Sequence, residues 1–125
     1  MVKKVLIVDE SERTREEILG LFNDGLYLKR IGEKLEYITS DNSGFLPLVN
    51  SGNGVLEGVS LCITDDINIV EYSRGRDIPT FFYSSGDSVA GKRAMDIHAE
   101  WIRKSFSMSS VYLIADSINV LFGIN

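Results

Sequence analysis

Val5-Leu6-Ile7-Val8 followed at once by Asp9-Glu10 is the stretch that decides the fold. Four apolar residues in a row, three of them β-branched, suit a strand buried on both faces, as in a parallel sheet. The acids then mark the point where the strand leaves the core. The same pattern returns downstream. Leu61-Cys62-Ile63-Thr64 runs into Asp65-Asp66, Thr80-Phe81-Phe82-Tyr83 into Ser84-Ser85-Gly86, and a shorter Trp101-Ile102-Arg103 into Lys104.

Helical signals separate these runs. Ser11 is an N-cap candidate after the first, and Thr14 with Glu17 offers a second start. Ile18, Leu21 and Phe22 share a face before Asn23-Asp24-Gly25 stops the helix. Residues 88–99 form a polar helix with a thin stripe of Ala90, Ala94 and Ile97. Near the end Ser109 or Ser110 caps a helix whose Val111, Ile114, Ala115, Ile118, Leu121 and Phe122 recur at helical spacing, closed by Gly123. Strands alternating with helices predict a doubly wound α/β fold with right-handed crossovers. Residues 26–58 are ambiguous. Leu26-Tyr27-Leu28, Gly32-Glu33-Lys34 and Leu35-Glu36-Tyr37-Ile38 read as a hairpin or as a loop before a second strand, and Pro47 keeps any later helix short. Only residues 66–78 separate Asp65 from Pro79, so a shortened helix is expected there.

The bulk properties narrow the function. The 125 residues amount to one domain, 1–125, and 44% hydrophobic with 25% charged is ordinary for a globular chain. No long apolar run predicts a membrane span, no leader is evident, and the lone Cys62 fits a reducing, cytoplasmic setting. Net charge is −5, and the basic residues are scattered pairs, so neither a nucleic-acid nor a membrane surface is expected. His98 lacks Cys or His companions for zinc and reads as a surface histidine.

In open α/β sheets functional groups collect beyond the carboxyl ends of the strands. Folding therefore gathers Asp9, Glu10, Asp65, Ser84 and Lys104. Three crowded carboxylates do not all stay ionised unaided. A hard divalent cation, Mg²⁺, resolves the conflict with few carboxylates and several waters. Asp65 is then a candidate nucleophile, Lys104 a fixed charge and Ser84 a hydroxyl donor for a phosphoryl group. Taken singly, these residues also suit N-caps and solvated strand ends, and Ser84 also suits a helix cap. Gly86 to Arg93 resembles a phosphate loop, but Arg93 stands where a metal-binding hydroxyl is needed and Asp87 repels phosphate, so nucleotide binding is not expected. Gly52-Asn53-Gly54 reads as a turn.

Four segments carry a resemblance to response-regulator receiver domains: Lys4 to Ser11, Ser60 to Asp65, Ile78 to Ser85, and Ala99 to Phe106. It implies a flavodoxin-like, five-stranded parallel sheet of order 2-1-3-4-5 with helices on both faces. It also implies Mg²⁺ on Asp9, Glu10, Asp65 and the Ile67 carbonyl, phosphorylation of Asp65 by a sensor histidine kinase or phosphotransfer protein, and a downstream protein target. Such a chain is a signalling phosphoacceptor rather than an enzyme acting on other molecules. Ser84 and Trp101 stand where the family has its switch pair, although Trp101 also suits plain packing. The alternative is a pseudo-receiver that works through protein contacts alone. Ser105 stands where the family usually has a proline after the lysine, so a trans Lys104–Ser105 peptide is expected, with the ammonium at Asp65.

Overall fold

The computed structural model describes residues 3–23, 35–50, 57–86, 88–105 and 109–122. Five strands, β1 (Lys3–Val8), β2 (Leu35–Ser40), β3 (Val59–Thr64), β4 (Thr80–Ser84) and β5 (Glu100–Arg103), pair in parallel in the order β2-β1-β3-β4-β5. Between and after them run α1 (Glu12–Asn23), α2 (Phe45–Asn50), α3 (Ile67–Gly75), α4 (Ser88–Asp96) and α5 (Ser109–Leu121). The expected doubly wound sheet is therefore present, in the expected order.

The continuous apolar runs divide between two cores by strand alternation. Val5, Ile7, Leu61, Ile63, Phe81, Tyr83 and Ile102 face Ile18 and Leu21 of α1 and Val111, Ile114, Ala115 and Ile118 of α5. Leu6, Val8 and Cys62 face Phe45 and Ile69, while Phe82 meets Val70, Ala94 and Ala99. Both faces are covered, which is why these strands lack an alternating polar side. Burial pushes the Cys62 thiol up to about 12, making it an inert core side chain.

Helix ends explain the loop lengths. The Ser11 hydroxyl accepts from the Thr14 amide at 3.2 Å, so the first cap candidate starts α1 and Thr14 lies inside it. The Asp66 carboxylate caps α3 by accepting from the Asn68 amide at 2.8 Å. The cap lets α3 begin two residues past β3, and its 9 residues fit the short connection, against 13 in α5. The helix α3 closes with Ile78 N–H on Ser73 O and Asp77 N–H on Arg74 O, and α4 closes with Ala99 on Ala94 and His98 on Met95. Asp77 (φ 59°) and His98 (φ 68°) hold the left-handed position that such caps usually give to glycine.

One open reading is settled and two expectations change. Leu35–Ser40 is a parallel strand beside β1, while the other arm of the suggested hairpin, together with Gly52-Asn53-Gly54 and Gly123, lies outside the described residues. Ser110 sits in the first turn of α5 with its hydroxyl against Tyr83 at 2.7 Å rather than serving as the cap. Leu121 is 38% exposed, at the edge of the α5 stripe.

Candidate functional site

Because β1 and β3 are parallel neighbours with Val8 opposite Thr64, the residues that follow them, Asp9 and Asp65, emerge side by side. Asp9 is 1% exposed, too deep to be an ordinary solvated strand end. Its Oδ1 accepts from the Ser11 amide at 2.9 Å and its Oδ2 from Lys104 Nζ at 2.9 Å. Its backbone carbonyl takes the Arg15 guanidinium at 2.5 Å. Each Asp9 oxygen thus accepts one hydrogen bond, which leaves lone pairs on the carboxylate.

Asp65 is half-buried. Burial, and then the Asp9 charge, raise its carboxyl above the usual 3.8. The Asn42 hydrogen bond and the Lys104 charge oppose that rise. The geometry thus reproduces the crowding of like charge that the sequence implied, between two carboxylates. The Glu10 side chain turns elsewhere: its Oε2 accepts from the Asn42 backbone amide at 3.2 Å. Among the described residues no group of three acidic, histidine or cysteine side chains closes on a common point.

Lys104 departs from expectation. Its ammonium pairs with Asp9 rather than with Asp65, and it lies 5.2 Å from the centre of the Tyr83 ring. Asp9 is the deeper carboxylate and has the greater need of a countercharge. The Lys104–Ser105 peptide is trans, as expected. The Lys104 amide donates to Ser84 O at 3.1 Å, which fixes the start of its side chain beside the end of β4.

Ser84 ends β4 half-exposed, and among the described residues its hydroxyl takes no hydrogen-bond partner. It lies four residues before α4 and does not cap it. Trp101 pairs with Phe82 and Ser84 with Arg103, so Ser84 and Trp101 share a sheet face on adjacent strands. The Trp101 ring lies on Gly91 of α4, where a Cβ would come within 2.4 Å of it. The glycine of the apparent phosphate loop thus serves a close helix–ring approach. The indole Nε1 is buried without a partner among the described residues, and the Arg103 guanidinium stands 4.8 Å from the ring centre. Ile67 is the first residue of α3, where a helical carbonyl points along the axis away from the N-terminal end.

Sequence reasoning missed Asn42. Its Nδ2 donates to Asp65 Oδ1 at 3.2 Å, while its Oδ1 is buried with no partner among the described residues. The signal was the Ser40-Asp41-Asn42 ending of β2, which becomes meaningful only once β2 is placed beside β1. Next to it, Asp41 Oδ1 accepts from the Gly44 amide at 2.7 Å. That bond, with a second from Ser43, holds the Asp41 carboxyl below the usual value.

The donors fit a hard cation. They are all oxygens, and Mg²⁺ needs only one or two carboxylates with several waters. The orphaned Asn42 oxygen beside Asp65 suits a metal-bound water.

The sequence matches no protein-family model and no curated protein. Solved structures that share its fold include the following two. One is response regulator protein TrrA from Thermotoga maritima, in complex with Mg²⁺–BeF. It has a TM-score of 0.64 and 18% identity, over 95% of this chain and 98% of that one. The other is a response regulator receiver domain protein from Clostridium thermocellum, with a TM-score of 0.62 and 15% identity, over 92% of each chain.

Proposed function

From a chain with the flavodoxin-like receiver fold, we propose a phosphoryl acceptor of two-component signalling, modified on Asp65 in a Mg²⁺-dependent reaction. The observation that carries this reading is the Asp9–Asp65–Lys104 arrangement. Two carboxylates sit at adjacent strand ends, the inner one held by a lysine and the outer one half-open with a raised pKa. A structural ion pair needs only Asp9 and Lys104; the second carboxylate is surplus to it and available for chemistry.

An Asp65 oxygen attacks the phosphorus of a phosphohistidine on a kinase or phosphotransfer protein. The O–P bond forms as the N–P bond breaks, and the electron pair stays on the imidazole nitrogen, which then takes a proton. Mg²⁺ would be held by Asp65, Asp9 and Glu10 with water, and would neutralise charge on the incoming group. Drawing the Ile67 carbonyl into that set requires the first turn of α3 to open. Lys104, swinging from Asp9, would meet one phosphoryl oxygen, and the Ser84 hydroxyl would donate to another. The acyl phosphate adds charge near −2 by analogy with other phospho-residues. Turning Ser84 toward it vacates space on the face shared with Trp101, biasing the packing of Trp101 on α4. The surface of α4, β5 and α5 is then the output face toward a protein target. The chain catalyses only its own phosphorylation and dephosphorylation. No helix of the described residues is long and apolar enough to cross a membrane. A cytoplasmic setting without membrane or nucleic-acid contacts is part of the proposal.

Glu10 held by the Asn42 amide and Lys104 held by Asp9 favour a second reading, a pseudo-receiver acting by protein contacts alone. Labelling by a small phosphodonor such as acetyl phosphate separates the two. Mg²⁺-dependent modification of Asp65 supports the first, and none at millimolar Mg²⁺ supports the second.

A further inference from the structure

Lys104 is followed by a serine in a trans peptide, so proline does not stiffen the turn that aims its side chain. The turn is nevertheless pinned on both sides. The Lys104 amide bonds to Ser84 O at 3.1 Å, and the Ser105 amide donates to Ser110 Oγ at 3.3 Å. Ser110 is 2% exposed, and its hydroxyl meets the Tyr83 hydroxyl at 2.7 Å. Tyr83 is 1% exposed and presents its ring to Lys104 Nζ, 5.2 Å from the ring centre. One buried pair therefore touches both the backbone after Lys104 and the ammonium at its end.

We propose that Tyr83 and Ser110 are positioning residues for Lys104. They replace the rigidity of a proline by a buried hydroxyl pair, and they hold the ammonium over the acid pair. The chemistry fits the task. An aromatic face attracts a cation without neutralising it, so the lysine keeps its full charge for Asp9 or for a phosphoryl oxygen. The hydroxyl pair fixes the ring edge and the Ser105 amide at one point on α5. Any buried tyrosine hydroxyl needs a hydrogen-bond partner; what is particular here is that the partner, Ser110 Oγ, also accepts from the amide that follows Lys104. The expected consequence for phosphoryl transfer rests on the function proposed above, whereas the positioning of Lys104 does not.

Two arms test it on the full chain. In the first, phosphorylation by acetyl phosphate is timed at saturating Mg²⁺. Tyr83→Phe and Ser110→Ala should each slow it roughly tenfold, as small misplacements of reacting groups do. The double variant Y83F/S110A leaves no orphaned hydroxyl in that pair, although the Ser105 amide still loses its acceptor, so it should recover the part of the stability that an unpaired hydroxyl costs while staying slow. Neither substitution should slow the reaction further in a Lys104→Ala background. Rates that recover with stability, or that fall again without Lys104, overturn the proposal.

The second arm needs no phosphorylation. The Lys104 Hε resonances should be displaced by the Tyr83 ring current and move toward free-lysine values in Ser110→Ala. Unchanged resonances overturn the positioning role. A wild-type chain that takes no phosphate overturns the proposed function, and the resonance arm then decides the positioning role.

Discussion

The Lys104 ammonium lies 2.9 Å from the carboxylate of Asp9, and that pair closes the deep end of the site while Asp65 stands at its open end. Asp9 is 1% exposed, so its charge depends on its partners. Lys104→Ala should lower the stability of the metal-free protein by about 1–3 kcal/mol, the usual cost of an orphaned buried polar group. Millimolar Mg²⁺ should return part of the loss by supplying a second countercharge. Urea titrations with and without the metal measure both effects.

Asp65 sets a pH dependence of definite sign. Its folded carboxyl titrates above the ordinary 3.8, so the unfolded chain ionises it more easily. The stability linked to this group is complete below pH 3.8 and is lost as pH rises through the raised folded value. Asp65→Asn should therefore stabilise the metal-free protein at neutral pH. The gain should shrink to nothing on acidification, where both chains carry a neutral group. Denaturation curves in chelator across this range give the comparison.

Gly91 is needed for the seat of Trp101. A Cβ there would fall 2.4 Å from the indole. Gly91→Ala should cost about 1–3 kcal/mol through overpacking and drive the ring toward water. A red shift of the single tryptophan's emission reports the movement directly.

Asp77 and His98 carry backbone strain that glycine would relieve, with φ of 59° and 68°. Asp77→Gly and His98→Gly should each be neutral to stabilising by up to about 1 kcal/mol, against the usual loss on introducing glycine. Thermal melts decide it, since among the described residues neither side chain makes a hydrogen bond that supports its cap.

Much of this fold could be read from the chain because a two-face-buried strand leaves a continuous apolar run. Val5 to Val8, Leu61 to Thr64 and Thr80 to Tyr83 each gave both an element and the strand end at which a candidate site residue stands. The strand Leu35–Ser40 was obscure because it lies at the sheet edge, where exposed Glu36 and Tyr37 break the apolar run. Losing that strand also hid Asn42. The partner of Lys104 could not be read from spacing, since Asp9 and Asp65 emerge from adjacent strands and only their relative burial selects between them. The caps at Asp77 and His98 were hidden for a simpler reason: the residue usually expected there is glycine.

The most direct test of the central claim is site-resolved labelling with a small phosphodonor. Wild-type protein and Asp65→Asn are incubated with acetyl phosphate, with and without Mg²⁺, and the acyl phosphate is located by mass spectrometry after trapping. One modified residue, Asp65, is expected in the wild type with Mg²⁺, and no acyl phosphate without the metal or in Asp65→Asn. Equal labelling of the variant, or a wild type that stays unmodified at millimolar Mg²⁺, would contradict it.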